Sequence, residues 1–340
     1  MTIKDLAAMT GYAVGTVSRA LNDHPNVSDK ARKAILEAAR EYGYEMNVNA
    51  KQLKQSSSNT ILVVVKGTGN ELFGKMLECI QPMIARTRYQ LAVDYLDEDS
   101  NEVLRAVQLC REKKPVGILF LGGAAQNFAA DFDKIDIPCV EVTNDASALP
   151  FSNLSSVTTD DRAAAQSAID TLVAHGHRRI AVIGGDRETS DVARLRFEGC
   201  MRSFRKHGIP FSPELDYQTV RFSYEDGYKA TKKLLESRRD YTAIFAVSDV
   251  MTIGAIRALW EAGKRVPDDI SIIGLDGLTL GRYLIPQLST VKQDFQAIAL
   301  RSVRILLDGI DRNLPARHET VPFLVHQRES IRRICQTKET

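Results

Sequence analysis

Residues 11–22, Gly-Tyr-Ala-Val-Gly-Thr-Val-Ser-Arg-Ala-Leu-Asn, constrain the front of this chain more than any other stretch. Gly11 separates two short runs of helical periodicity. Before it, residues 3–10 form a helix with Thr2 and Asp5 at capping-box spacing, the acid also lying in the positive first turn. After it, Val17, Ala20 and Leu21 share one helical face, while Gly15, Thr16 and Arg19 face the other way. So short a helix buries too little to stand alone, and neighbouring helices must hold it. Ser28 caps a third helix, 29–42, with an apolar stripe of Ala31, Ile35, Ala38, Ala39 and Tyr42 ended by Gly43. The layout is that of a helix-turn-helix, although a small bundle with a polar face has the same pattern. On a DNA major groove, Arg19 would grip guanine or a phosphate, Thr16 would meet either, and Gly15 would let the backbone approach the wall.

Charge alone does not point to nucleic acid. The chain carries a net +2, and residues 1–57 hold eight Lys or Arg against six Asp or Glu, again +2. DNA binding would rest on where the cations sit, with strong salt dependence. Residues 47–55 are helix-permissive but too short for a stable isolated helix, and Ser56-Ser-Ser-Asn59 reads as a spacer.

At this point the chain resembles the LacI/GalR family of bacterial transcription regulators. The matching residues are Thr-Ile-Lys-Asp-Leu-Ala at 2–7, Thr-Val-Ser-Arg-Ala-Leu-Asn at 16–22, Val-Ser at 27–28, Tyr-Gly-Tyr at 42–44 and the segment 47–53. The resemblance implies DNA contacts from Thr2, Val14, Gly15, Thr16, Ser18, Arg19 and Asn22. It adds Asn47, Ala50 and Leu53 from a hinge helix, Leu53 being the wedge into a minor-groove step. Lys51 and Lys54 flank that leucine, which could otherwise serve a linker core. Ala13 departs from the family, which has Ser as the cap there. A missing cap costs about 1 kcal/mol, so this helix should fray at its start.

Beyond the serines, strands alternate with helices. Apolar runs at 61–65, 90–95, 116–121 and 138–142 enclose helices at 72–86 and 101–112, with Pro82 predicting a kink or an early end. A second series follows: helices 161–175, 192–207, 224–236 and 250–262, and strands 179–183, 217–222, 242–247 and 270–275. Apolar strands alternating with helices mean parallel sheets covered on both faces. The family resemblance continues through Gly-His-Arg-Arg-Ile-Ala-Val-Ile-Gly at 176–184, Arg-Leu-Arg-Phe-Glu-Gly at 194–199, Ser-Asp-Val-Met-Thr-Ile-Gly-Ala at 248–255 and 267–276.

The expected architecture is an all-α helix-turn-helix domain at 1–46, a hinge helix and linker at 47–59, and an α/β periplasmic-binding-protein-like core at 60–340. The resemblance divides that core into two parallel-sheet subdomains, about 60–157 with 291–318 and about 158–290 with 319–332. Its crossings fall near 157, 290 and 319. A ligand would sit between them, beyond the carboxyl ends of the strands. Asp276, Ser248 and Asp249 lie at such ends, with Arg196 on the loop after an apolar repeat. Gln293, on a strand at 288–294, points inward by family analogy. Leu72 and Phe73 open a helix and Phe222 ends a strand, supplying apolar faces for a sugar ring or a purine. A carboxylate, an arginine and short polar groups suit hydroxyls, each of which donates and accepts. Spacing alone equally makes Asp249 and Asp276 turn or cap residues and the aromatics core. Ser248 stands where sugar-binding relatives have Asn, and Gly277 where a second Asp or Asn is common. A mono- or oligosaccharide, a nucleoside or a protein signal therefore all stay open as effector.

Enzyme chemistry finds no footing. Gly67-Thr-Gly69 with Gly74 breaks GxGxxG, GxxxxGK[ST] does not occur, and six histidines include no HExxH, so no cofactor or metal is expected. The adjacent acids at 97–99, 160–161 and 268–269 read as turn and cap residues. Cys79, Cys110, Cys139, Cys200 and Cys335 are scattered and read as reduced thiols. With no signal peptide or spanning segment, the expected place is the cytoplasm and not a membrane, which disfavours a secreted binding protein. The polar tail at 328–340 lacks heptads, so the expected assembly is a homodimer on a near-palindromic operator, repressing by occupancy.

Overall fold

The computed structural model describes residues 2–21, 26–43, 59–237 and 239–334. The chain divides into two compact units, Met1–Ser58 and Asn59–Thr340. In the first, α1 (Ile3–Thr10), α2 (Val14–Leu21) and α3 (Asp29–Glu41) share a small core of Leu6, Ala7, Val17, Ala20, Ile35 and their neighbours. The capping box forms: the Thr2 N–H donates to Asp5 Oδ2 at 2.7 Å, and the Asp5 N–H to Thr2 Oγ1 at 3.3 Å. Gly11 ends α1 at φ 72°, where a side chain would be strained. Ala13, with no side-chain oxygen, offers α2 only its carbonyl, which accepts from Thr16 and Val17. Tyr42 does not join the apolar stripe. The helix stops at Glu41, and Tyr42 sits at its cap, 49% exposed. The expected hinge at 47–55, with Asn47, Ala50 and Leu53, lies outside the described residues.

The second unit holds two six-stranded sheets. β1 (Thr60–Lys66), β2 (Gln90–Leu96), β3 (Gly117–Leu121), β4 (Cys139–Val142) and β5 (Leu154–Thr158) belong to the first. β6 (Ile180–Gly184), β7 (Tyr217–Thr219), β8 (Ala243–Ala246), β9 (Ser271–Asp276) and β10 (Ser289–Gln293) belong to the second. β11 (His318–Thr320) and β12 (Phe323–His326) add an edge to each, giving the orders β11-β5-β4-β3-β1-β2 and β12-β10-β9-β8-β6-β7. Every pairing is parallel except β10 with β12, so the second sheet is mixed at that edge.

Helices α4 (Glu71–Ala85), α5 (Glu102–Lys113) and α6 (Ala125–Asp131) pack with the first sheet. α7 (Asp161–Ala174), α8 (Asp191–Lys206), α9 (Pro213–Asp216), α10 (Tyr224–Glu236) and α11 (Asp249–Glu261) accompany the second, and α12 (Phe295–Arg312) returns to the first. The apolar run of β1 is explained by this sandwich. Ile61, Val63 and Val65 meet Met76 and Ile80 of α4 and Val303 of α12, whereas Leu62 and Val64 meet Val103 and Ala106 of α5. Alternate side chains thus enter two different cores.

The chain crosses between lobes after β5, after β10 and between β11 and β12. β10 stays in the second sheet to Gln293 and β11 in the first to Thr320, so the boundaries expected at 291 and 319 move a few residues onward. Pro82 does not end its helix, which continues to Ala85. It lies on the exposed face, where water can take the carbonyl that a proline leaves unbonded.

α10 and α11 touch backbone to backbone. A Cβ on Gly254 would fall on the Tyr224 carbonyl oxygen, and one on Gly227 on the Met251 backbone. Gly254→Ala should therefore destabilise the core by about 1–3 kcal/mol despite its better helix propensity. Gly74 in α4 meets nothing within 4 Å, so Gly74→Ala should stabilise by about 0.5–1 kcal/mol. Urea denaturation of both variants checks the pair, and equal shifts of one sign would contradict the packing.

Candidate functional site

Helix α2 separates its residues by face. Val17 and Ala20 are buried, Thr16 and Ser18 are partly covered, and Val14, Gly15 and Arg19 are exposed. The Arg19 Nε donates to the Gly15 carbonyl at 3.2 Å, which lays the guanidinium stem along the open face. A Cβ on Gly15 would meet nothing within 4 Å, so packing within the unit does not require a glycine there. Thr2 is exposed, but its hydroxyl is committed to capping α1. Asn22 lies outside the described residues.

In the core, a cavity of about 670 Å³ opens between the lobes, within the range of roughly 300–1,000 Å³ usual for small-molecule sites. Arg196, Asp276 and Gln293 line one wall. Arg196 projects from α8 rather than from a loop. Its Nε donates to Asp161 Oδ1 at 2.7 Å, its Nη1 to the Val247 carbonyl at 2.5 Å, and its Nη2 lies 3.7 Å from Asp276 Oδ1. Asp276 also accepts from the Ser248 hydroxyl at 2.7 Å and the Gln293 amide at 2.9 Å.

Ser248 and Asp249 are fully buried and do not line the cavity. Sequence position puts them at a strand end, but it does not show which way a side chain turns. Asp249 Oδ2 accepts the N–H groups of Gly277 at 2.8 Å and Leu278 at 2.7 Å, while Oδ1 accepts from Thr290 Oγ1 at 2.7 Å. It ties down the loop after β9. Burial, reinforced by the nearby Asp276 carboxylate, pushes its own carboxyl up to about 8. Gly277 does more than omit a carboxylate. It has φ 80°, and a Cβ there would collide with Lys292.

Leu72, Phe73 and Phe222 line the cavity, the first two nearly buried. Phe222 stands on the loop beyond β7, which ends at Thr219. Most of the first-lobe wall was not singled out from the sequence. Asn70 and Asn101 cap α4 and α5, accepting from Leu72 N at 3.1 Å and from Val103 N at 3.0 Å, and both border the cavity. An asparagine between a strand and a helix is the signal that would have found them. Behind them Glu102 takes Lys66 Nζ at 2.7 Å, Ala124 N at 2.8 Å and Asn127 Nδ2 at 3.0 Å. Asn144 donates to Glu141 Oε1 at 3.0 Å and to the Gly123 carbonyl at 2.7 Å, yet its own Oδ1 is buried without a partner.

Contacts between lobes close the cavity's rim. The Ala125 N–H donates to Asp191 Oδ2 at 2.7 Å, Tyr224 OH to Glu71 Oε2 at 2.7 Å, and Arg221 pairs with Asp97 and Asp99. Among the described residues no group of His, Cys, Asp and Glu is placed to hold a metal, and no helix is long and apolar enough to cross a membrane.

The sequence model described as "Bacterial regulatory proteins, lacI family" matches residues 2–47, and that of a "Periplasmic binding protein-like domain" matches residues 169–331. The HTH-type transcriptional regulator MalR of Clostridium butyricum is 33% identical over 337 residues, covering 97% of this chain and 99% of the relative. The HTH-type transcriptional repressor CytR of Escherichia coli (strain K12) is 31% identical over 307 residues, covering 90% and 89%. Among solved structures, the lac repressor dimer bound to operator and the anti-inducer ONPF superposes with a TM-score of 0.74 at 25% identity, covering 98% and 99%.

Glu141, 1% exposed, gives this wall a pH dependence. Burial raises its carboxyl from 4.5 to about 8, aided by Glu102 and Asp191 and opposed by the Asn144 amide. The folded protein then keeps a proton that the unfolded chain has released, so this group's contribution to stability falls as pH rises through that window. Glu141→Gln, which keeps the acceptor for Asn144, should flatten the loss of stability between about pH 5 and 8 in urea titrations. A slope identical to that of the unaltered protein would contradict the assignment.

Proposed function

The chain belongs to the lacI family of bacterial regulatory proteins, and from that premise we propose that it is a sequence-specific DNA-binding transcription regulator, a repressor, controlled by a small molecule held between the two lobes of its core. It is not an enzyme. The observation that carries this reading is the presence, in one chain, of a three-helix unit with Val14, Gly15 and Arg19 exposed along one helix and a two-lobed core with a cavity between its lobes, lined by both polar and apolar side chains.

In this reading α2 enters the major groove with Val14, Gly15, Thr16, Ser18 and Arg19 toward the bases and phosphates, and Thr2 beside them. Asn22, Asn47, Ala50 and Leu53 complete the contact. Arg196, Asp276 and Gln293 receive the hydroxyls of a sugar or related metabolite, with Leu72, Phe73 and Phe222 against its apolar face. Ser248 and Asp249 act through Asp276 and its loop. Effector binding shifts the balance between lobe arrangements, and the residues joining the two units pass that shift to the DNA-binding unit. The size of the response is bounded by the ligand's differential affinity for the two arrangements.

The working assembly is a homodimer in the cytoplasm, on a near-palindromic operator. Support comes from apolar side chains left uncovered on both lobes: Val93 and Tyr95 on edge strand β2, and Tyr283 and Ile285 on the second lobe, the last 96% exposed. The lac repressor dimer held on its operator supports the same arrangement here.

Arg19→Ala should weaken operator binding by about 1–3 kcal/mol in an electrophoretic shift; undiminished binding would remove Arg19 from the reader. Asp276→Asn keeps the side chain's shape but removes the charge facing Arg196. It should leave operator affinity intact and abolish the effector's influence on it, while a normal response would clear Asp276 of a role in sensing.

A further inference from the structure

The cavity's charge is lopsided. Six carboxylates line it, Asp97, Glu98, Asp99, Asp186, Asp226 and Asp276, against three cations, Lys66, Arg196 and Arg221. Each cation already has carboxylate partners. Lys66 holds Glu102 at 2.7 Å, Arg196 lies 2.7 Å from Asp161 and 3.7 Å from Asp276, and Arg221 reaches both Asp97 and Asp99. Among the described residues, no lining cation is without a carboxylate partner, so an incoming anion would have to compete for each of them. Glu98, Asp186 and Asp226, by contrast, have no cation within ion-pair distance among those residues.

The hydrogen-bonding inventory leans the same way. Asn144 is 6% exposed and borders the cavity, and its hydrogen bonds to Gly123 and Glu141 both use the amide as donor, leaving Oδ1 without a partner. That oxygen is itself shielded from solvent, so it adds an unsatisfied acceptor behind the wall and no donor in front of it. Carboxylates accept only, so the surrounding wall calls for donors. A second negative charge brought into this cleft would meet like charges between low-dielectric walls, where repulsion is poorly screened.

We infer that the cleft selects a donor-rich ligand without negative charge, an uncharged polyol or its amine-bearing counterpart, and rejects the carboxylated and phosphorylated forms of the same scaffold. This inference rests on the reading of the cavity as the effector site. Arg196 does not contradict it, because two carboxylates already surround that guanidinium.

The test uses the full chain and matched probes: D-glucose, D-glucosamine and D-glucuronate; D-ribose and ribose phosphate; uridine and uridine monophosphate. Thermal shift and calorimetric affinity are read for each, together with release of bound operator. In the scaffold that binds, the uncharged or amine form should bind at least about tenfold more tightly than its anion, equivalent to about 1.4 kcal/mol. Comparing D-glucosamine with D-glucose separates the two permitted forms. An anion bound as tightly as its neutral counterpart, or more tightly, overturns the charge selectivity while leaving the effector site standing. If no probe shifts the protein or releases operator, the effector reading fails and the selectivity falls with it.

Discussion

Asp276 ends β9 with its backbone at φ 121°, a region that costs a non-glycine residue about 1–3 kcal/mol and persists only where its surroundings over-determine it. Those surroundings are explicit. Asp249 holds the next two N–H groups, Ser248 and Gln293 donate to the Asp276 carboxylate, and Arg196 faces it from α8. This part of the second wall is therefore held by the protein itself, since Asp276, Asp249 and Arg196 each have protein partners. Thr143, at φ 83° on the opposite wall, is a second residue in left-handed backbone. Strain on both sides of one cavity is the pattern of a site whose geometry is held by the fold around it.

The two walls belong to different sheets, and the chain passes between those sheets three times. Such a connection leaves the lobes distinct while tying them along one side, so the cleft's rim is where an arrangement can be favoured or lost. Arg221 with Asp97 and Asp99, Tyr224 with Glu71, and Ala125 with Asp191 all bridge that rim. Most of these side chains are exposed, and exposed pairs contribute only about 0–1 kcal/mol each. Contacts that weak make the closed arrangement adjustable by a ligand with modest preference for it, which is what a switch requires.

Much of this was legible in the sequence where periodicity and composition act locally. The capping box of Thr2 and Asp5, the stop at Gly11, and the alternation of apolar strands with helices all follow from short-range rules, and the structure follows them. The exceptions have physical causes. Tyr42 fits the stripe of α3 by spacing, but the helix ends one residue before it. The strands at β5, β11 and β12 are short, and their pairing depends on partners far away in sequence. α12 carries Ile298, Ser302, Val303 and Leu306 at helical spacing, but nothing local reveals that it crosses back to the first sheet.

The site divides the same way. Arg196, Asp276, Gln293, Leu72, Phe73 and Phe222 border the cavity, having been singled out through a family resemblance. Ser248 and Asp249 sit at the correct strand end but turn inward, because side-chain direction after a strand depends on the loop they anchor. Glu102 opens α5, whereas Glu141 and Asn144 belong to the end of β4 and the turn after it, two segments whose meeting only the folded sheet brings about.

The most direct measurement is selection from a pool of random duplexes by the full-length protein, followed by sequencing of the bound fraction. The account predicts enrichment of a near-palindromic site, in keeping with one reading helix from each half of a dimer. A bound fraction no different in sequence from the starting pool would contradict it.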